Sequence, residues 1–174
     1  MPSFENPMVP PSASSSFFFH ASTSSFAFAS AGGAPSEFTS TTDATLVTCP
    51  RSNVWVGVGA PPLARFLASG VRLAVGTDSL ASAPDLNLFA ELQAMRGLAP
   101  DAPARRLLAA ATLGGAEALG LDAALGTIAA GKHAALIAVR LPAGVMDPEE
   151  ALLGGIAPAA VRVLETAGYH GGRP

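Results

Sequence analysis

Two short stretches of this chain carry side chains that could do chemistry. One is Thr48-Cys49-Pro50-Arg51-Ser52-Asn53 and the other is Gly76-Thr77-Asp78-Ser79. Asp78 is the first candidate. It ends the run VRLAVGTD, three residues after Val75, and a carboxylate at the end of a buried apolar strand is costly unless it is paired, hydrogen-bonded or bound to a metal. The same residue also has a plain structural reading. Asp and Ser are ordinary turn formers, so Asp78 can simply cap the turn that follows. On local chemistry alone the turn is the better reading.

These stretches must be held by particular elements. Ala44-Thr45-Leu46-Val47-Thr48 reads as a short buried strand, and Pro50 stops it because proline lacks the ladder donor. A loop with Gly57 and Gly59 follows. Pro61 and Pro62 then open a helix, PPLARFLAS, that Gly70 closes at its C-terminus. Val71–Val75 is the next strand. Strand, helix and strand in this order make a βαβ unit with parallel strands. In such folds ligands gather where the carboxyl ends of the strands open into loops. Both polar stretches sit at such ends, so they point into one mouth.

Further on, Asp85 reads as an N-cap for DLNLFAELQAMRG, with Leu86, Phe89 and Leu92 at helical spacing. APARRLLAAATLGGAEALG reads as one helix from Pro103, with Leu107, Leu108 and Ala111 on one face. LIAVRL reads as a strand, DPEEALLGG as a short helix with an acidic first turn, and AVRVLET as a last strand before a glycine-rich tail.

Composition divides the chain. Residues 1–42 hold no Lys or Arg, and seven of the nine Phe precede Ser40. From Asp43 onward Ala, Leu, Gly and Val dominate. Such a shift marks a boundary. The first segment lacks the basic start of a signal peptide, and no stretch supplies the roughly 20 uninterrupted apolar residues of a membrane helix. It reads as a disordered tail or as non-native sequence. The whole chain is 49% hydrophobic and 13% charged, unlike a disordered protein. Its net charge of −3 gives no electrostatic reason to expect nucleic acid or a membrane surface. Cys49 is the one cysteine, which excludes an internal disulfide and fits a reducing, cytoplasmic setting.

The order CPRSN, helix, VRLAVGTDSLASAPDLNLFAEL, LLAAATLGGAEALGL and LGTIAAGKHAALIAV resembles the last third of the amidohydrolase superfamily. It is most similar to the branch with cytosine-, guanine- and adenosine-type deaminases, chlorohydrolases and aminofutalosine deaminase-like enzymes. The resemblance covers about Asp43 to Arg140. It implies an α/β fold: a partial TIM (β/α)8 barrel, its last two βα units, plus a C-terminal remnant of a small β-sandwich. Three segments follow: 1–42 low-complexity, 43–125 barrel, and 126–174 sandwich remnant and tail. It also implies that Asp78 is the aspartate after strand eight, a metal ligand that orients the attacking water and accepts its proton. A divalent metal lowers the pKa of bound water from 15.7 toward about 7, and a carboxylate beside it can relay the proton to the leaving amine. Substrate contacts could come from Ser52, Asn53 and Arg51. Asn53 is better suited to brace a turn through side-chain-to-backbone bonds, and Arg51 is better explained as a solvated surface residue. Lys132 sits in a GK turn and reads as structural.

The chain departs from the family in its histidines. The family's metal site needs a His-x-His pair and further histidines after strands five and six. His20, His133 and His170 form no such pair, and Ala135 stands where the GKxADL-like turn usually has Asp. A catalytic zinc takes about three protein ligands. A full barrel takes about 250 residues, or at least about 200. The sequence therefore reads as a C-terminal fragment of a metal-dependent hydrolase acting on C–N bonds, less readily C–Cl bonds. Zinc or iron would serve the complete enzyme, and none would be held by this chain alone. The expected partner is a small heterocyclic substrate, with no nucleic acid or membrane and with a homo-oligomer left open. The competing reading is an inactive remnant or non-enzymatic module. Either way, the outer edge of strand Ala44–Thr48 is expected to lie unpaired, which is an aggregation hazard.

Overall fold

The computed structural model describes residues 16–17, 19–20, 29–30 and 44–164. Three two-residue strands come first: β1 (Ser16–Phe17), β2 (Phe19–His20) and β3 (Ala29–Ser30). Then come β4 (Thr45–Thr48), α1 (Pro50–Trp55), α2 (Leu63–Ser69), β5 (Arg72–Val75), α3 (Leu88–Leu98), α4 (Ala104–Ala111) and α5 (Leu113–Ala118). The chain continues through β6 (Leu136–Val139), α6 (Pro148–Leu152), a 3-10 turn at Pro158–Ala160 and β7 (Val161–Leu164). His170 and the end of the AVRVLET segment lie outside the described residues.

β4 and β5 pair in parallel, Thr45 opposite Arg72 and Thr48 opposite Val75. The intervening α1 and α2 make this the expected βαβ unit, because parallel neighbours need a crossover. The ladder runs one step beyond the strands, where the Gly76 N–H donates to the Thr48 carbonyl at 3.0 Å. That last bond brings the two strand ends, and their polar residues, side by side.

The outer edge of β4 is not bare. β2 pairs with it antiparallel, Phe19 opposite Leu46 and His20 opposite Thr45. The expectation of an unpaired edge is corrected for those two positions. A strand presents donors and acceptors on both sides, and the short β2 takes up part of the outer row. β1 pairs with β3, and β6 with β7, each antiparallel.

The core joins α2, β5, α3, α4 and α6 through Leu63, Leu67, Val75, Leu92, Met95, Leu107 and Leu153. Met95 and Leu107 are fully buried, and a side chain of that kind contributes about 1.5–3 kcal/mol by leaving water. Among the described residues no helix is long and apolar enough to cross a membrane.

Three expectations change in detail. The stretch after Cys49 is a helix and not a loop, because Pro50 sits in the first turn of α1, where its missing N–H costs nothing. The third helix starts at Leu88 with Asn87 as N-cap, the Asn87 side chain accepting from the Phe89 N–H. Asp85 lies outside it, and Leu86 is exposed. The long helix from Pro103 is broken in two at Thr112, whose backbone leaves helical geometry at φ −122°, ψ −89°. Its hydroxyl donates back to the Leu108 carbonyl at 3.0 Å, the local bond by which Thr competes with a helix.

Candidate active site

Asp78 is the one non-glycine residue with positive φ among those described, at 61°. Left-handed backbone is uncommon outside glycine but open to Asp, whose short side chain can bond locally. Here it does so. Oδ1 accepts the Ser79 N–H at 2.9 Å. Oδ2 accepts the Ser52 hydroxyl at 2.8 Å. Ser52 is buried on α1, one strand away, so the two polar stretches meet as expected. The Ser82 and Ser52 hydroxyls, together with the Ser79 amide, hold the Asp78 carboxyl below its ordinary value, outweighing the opposite effect of burial. Asp78 is therefore an ionised, doubly anchored, solvent-facing carboxylate.

Arg51 is committed elsewhere. Its guanidinium forks onto Asp85, at 2.6 Å and 3.0 Å. This bidentate geometry is the strong form of the arginine–carboxylate pair. Asp85 also accepts the Asn87 N–H at 2.9 Å. Its carboxyl is pulled down to about 2, first by Arg51 and then by Asn87. The loop from Asp78 to Asn87 is thus tied to α1 at both ends, by Ser52 at one and Arg51 at the other. Asn53 acts through its backbone: its carbonyl accepts the Val58 N–H at 3.0 Å and closes the turn after α1.

One residue of this cluster escaped the sequence reading. Glu91 on α3 is 0% exposed. One carboxylate oxygen accepts the Arg51 N–H at 2.9 Å. The other has no hydrogen-bond partner and lies 3.8 Å from the Arg51 guanidinium. Burial pushes the Glu91 carboxyl up, and the Arg51 amide and charge partly restore it. The signal was present in the sequence: Leu88, Leu92 and Met95 define the inner face, and position 91 falls on it.

Cys49, the residue between β4 and α1, packs beside these strand ends. Gly76 lies against it; a Cβ on that glycine would come within 3.4 Å of the Cys49 sulfur. Burial, with Asp78 and Glu91 adding negative charge, pushes the thiol up to about 11.

The other sequence candidates lie apart. His20 takes the register position opposite Thr45, at the end of β4 away from Thr48. The His133 N–H donates to the Ala124 carbonyl at 2.9 Å in the turn before β6. Lys132 donates its Nζ to the Asp122 and Leu125 carbonyls, which bears out its structural reading. Among the described residues no three His, Cys, Asp or Glu side chains come together as a metal-binding group. A catalytic zinc takes about three protein ligands, so these residues do not by themselves fit a metal centre. What they offer is one oriented carboxylate.

Comparison with known proteins gives this geometry a context. Residues 24–165 match the amidohydrolase family model. The match begins ahead of the compositional boundary at residue 43. A 5-methylthioadenosine/S-adenosylhomocysteine deaminase of Moorella thermoacetica is 42% identical over 98 residues, which is 52% of this chain and 23% of that enzyme. Among solved structures, an adenosine deaminase from Xanthomonas campestris with bound zinc superposes with a TM-score of 0.63 and 35% identity, covering 69% of this chain and 30% of that one. E. coli guanine deaminase superposes with a TM-score of 0.51 and 28% identity, over 57% of this chain and 24% of its own. The chain thus spans less than a third of the length of the relatives it matches.

Proposed function

This chain belongs to the amidohydrolase family, and from that premise we propose that it forms the closing part of the active site of a hydrolase acting on a C–N bond of a heterocycle. In this reading β4 and β5 are the last two strands of a (β/α)8 barrel, and β6 with β7 is the remnant of a small sandwich. The observation that carries it is the contact between Ser52 Oγ and Asp78 Oδ2 across neighbouring strand ends. It joins the two stretches that hold polar side chains into one mouth, where barrel enzymes place their chemistry.

Asp78 is the working residue. The hydrogen bonds from the Ser79 amide and the Ser52 hydroxyl leave lone pairs on each oxygen for a further partner. A divalent metal, zinc or iron, would supply a water acidic at neutral pH, and Asp78 is the ligand this chain would offer it. Asp78 would also accept a proton from the attacking water and return it to the leaving ammonia. A general base works best with a pKa near the working pH, whereas the serine hydroxyls and the Ser79 amide hold this carboxyl low. The anchoring therefore favours the charged, ligating role over that of a base acting alone. Ser52 and Arg51, engaged by Asp78 and Asp85, serve substrate binding indirectly, by bracing. Asn53, whose carbonyl closes the turn after α1, serves by bracing as well. The deaminases among the relatives point to a purine or purine nucleoside as the substrate class.

The test is ammonia release from adenosine, 5-methylthioadenosine and guanine by the complete protein that contains this sequence, with zinc supplied. Asp78→Asn should lower kcat by about a thousandfold or more while the far-ultraviolet circular dichroism is unchanged. Near-normal turnover in that variant would remove Asp78 from the mechanism. No turnover by the parent protein on any of these compounds would favour the non-enzymatic reading.

A further inference from the structure

Asp78 is exposed and lies in a loop, yet it is held in an uncommon backbone conformation. The local bond from the Ser79 amide suits that conformation, and a contact from outside the loop fixes it further. The Ser52 hydroxyl is the contact that reaches it from another element. Ser52 is 2% exposed, so its own position is set by how α1 is seated. α1 is only six residues long, has no side-chain cap at its N-terminus and carries no acidic residue in its first turn. A helix this short has little stability of its own. Its first-turn amide at Arg51 instead donates to Glu91, a fully buried carboxylate on the eleven-residue α3.

We propose that Glu91 is a positioning residue for Asp78: it fixes the first turn of α1 on α3, and through the adjoining Ser52 it sets the orientation of the Asp78 carboxylate. The path is short: two hydrogen bonds joined by one peptide link. Glu91 Oε2 takes the Arg51 N–H at 2.9 Å, the next residue is Ser52, and Ser52 Oγ reaches Asp78 Oδ2 at 2.8 Å. A buried acid with one oxygen unpartnered is costly. An apolar residue at this inward position of α3 would avoid that cost, as Leu92 and Met95 beside it do. The cost fits a residue retained for what it holds. The Arg51 guanidinium reinforces the seat, since it faces Glu91 and grips Asp85 at the far end of the same loop.

This inference rests on Asp78 being the working carboxylate, but its test reads anchorage and not turnover, so the two can fail separately. Residue-resolved amide hydrogen exchange on the full 174-residue chain supplies the readout. Glu91→Leu should speed exchange about tenfold at Arg51 and at Ser79, with Ala74 in β5 unchanged, since local openings are read one segment at a time. Glu91→Gln, which keeps an acceptor for the Arg51 amide, should restore both to within about twofold of the parent. Ser52→Ala should free Ser79 while leaving the Arg51 amide protected. If Glu91→Leu unfolds the chain, the Ser52→Ala and Glu91→Gln arms still decide. Unchanged exchange at Ser79 in Ser52→Ala, or in a folded Glu91→Leu, overturns the proposal. So does failure of Glu91→Gln to restore Ser79.

Discussion

Cys49 gives the most direct solution probe of the mouth at the level of single residues. Its thiol is raised from an ordinary 9.0 to about 11 by burial first and by Asp78 and Glu91 after it. The thiolate is the reactive form, so a shift of that size makes it roughly a hundredfold scarcer than in an unperturbed cysteine at the same pH. Alkylation of the folded chain by iodoacetamide at pH 8 should be slower than in the urea-unfolded chain by about that factor. Asp78→Asn removes one of the negative charges and should speed the folded-state reaction several-fold. Equal rates for the folded and unfolded chains would mean that the mouth is open around the sulfur.

Asp85 offers a second residue-level test. Arg51 and the Asn87 amide pull its carboxyl from an ordinary 3.8 to about 2. A lowered carboxyl contributes stability that is fully present above its unfolded value and fades as pH falls through its folded value. Glu91 has the opposite sign. It is raised from 4.5, so it favours the folded state below that value and loses this effect as pH rises. Comparing Asp85→Asn with the parent separates the two. The gap between their urea midpoints should be widest above pH 4 and should close toward pH 2. A gap that does not change with pH would show that the Arg51 fork is not the source of the acid dependence. Asp78 was legible in the sequence because it lies just past the end of an apolar strand, a place where a carboxylate demands an explanation. Glu91 was passed over although its spacing from Leu88, Leu92 and Met95 puts it on the inner face, because a Glu in a helix is usually a solvated residue. Its burial follows from tertiary contact with the Arg51 amide.

Short local signals served the elements well where backbone chemistry left one choice. Pro50 had to end β4, Gly70 with φ 76° had to end α2, and the Asp147 cap of α6 holds the Glu150 N–H at 3.0 Å. They failed where two outcomes share a signal. A proline after a strand marks its end, but it equally suits the first turn of a helix, and α1 took the second course. The break between α4 and α5 has a local part at Thr112 and a packing part that the helical pattern does not reveal. Gly114 lies against β5 so closely that a Cβ there would stand 2.1 Å from the Leu73 carbonyl oxygen. Gly114→Ala should therefore push α5 off the strand and cost about 1–3 kcal/mol, as overpacking does. Chemical denaturation would read this as a lower midpoint. An unchanged midpoint would mean that α5 does not approach β5 as described. Gly115, whose Cβ would meet nothing closer than 4.0 Å, is the control and should tolerate alanine.

For the molecule as a whole, the question is how much of a metal centre this chain can assemble. The family matches over residues 24–165, while the aligned stretch is 23% of the Moorella deaminase and 30% of the Xanthomonas structure. Among the described residues Asp78 is one oriented carboxylate, and no cluster of three metal-binding side chains accompanies it. A single carboxylate in water binds a divalent ion weakly, because it must displace hydration that further ligands would otherwise replace; a catalytic zinc takes about three protein ligands. The 174-residue chain, loaded with excess zinc and dialysed, should therefore retain well below one ion per chain by plasma mass spectrometry. Asp78→Asn should leave that residue of metal unchanged. One tightly held zinc per chain, lost in Asp78→Asn, would reverse the conclusion. The missing ligands would then come from other side chains of this chain, its histidines, Cys49 and neighbouring carboxylates among them. His133 stands in the turn before β6, and His20 takes the register position at the far end of β4. Replacing each of these side chains in turn would identify which of them reaches Asp78.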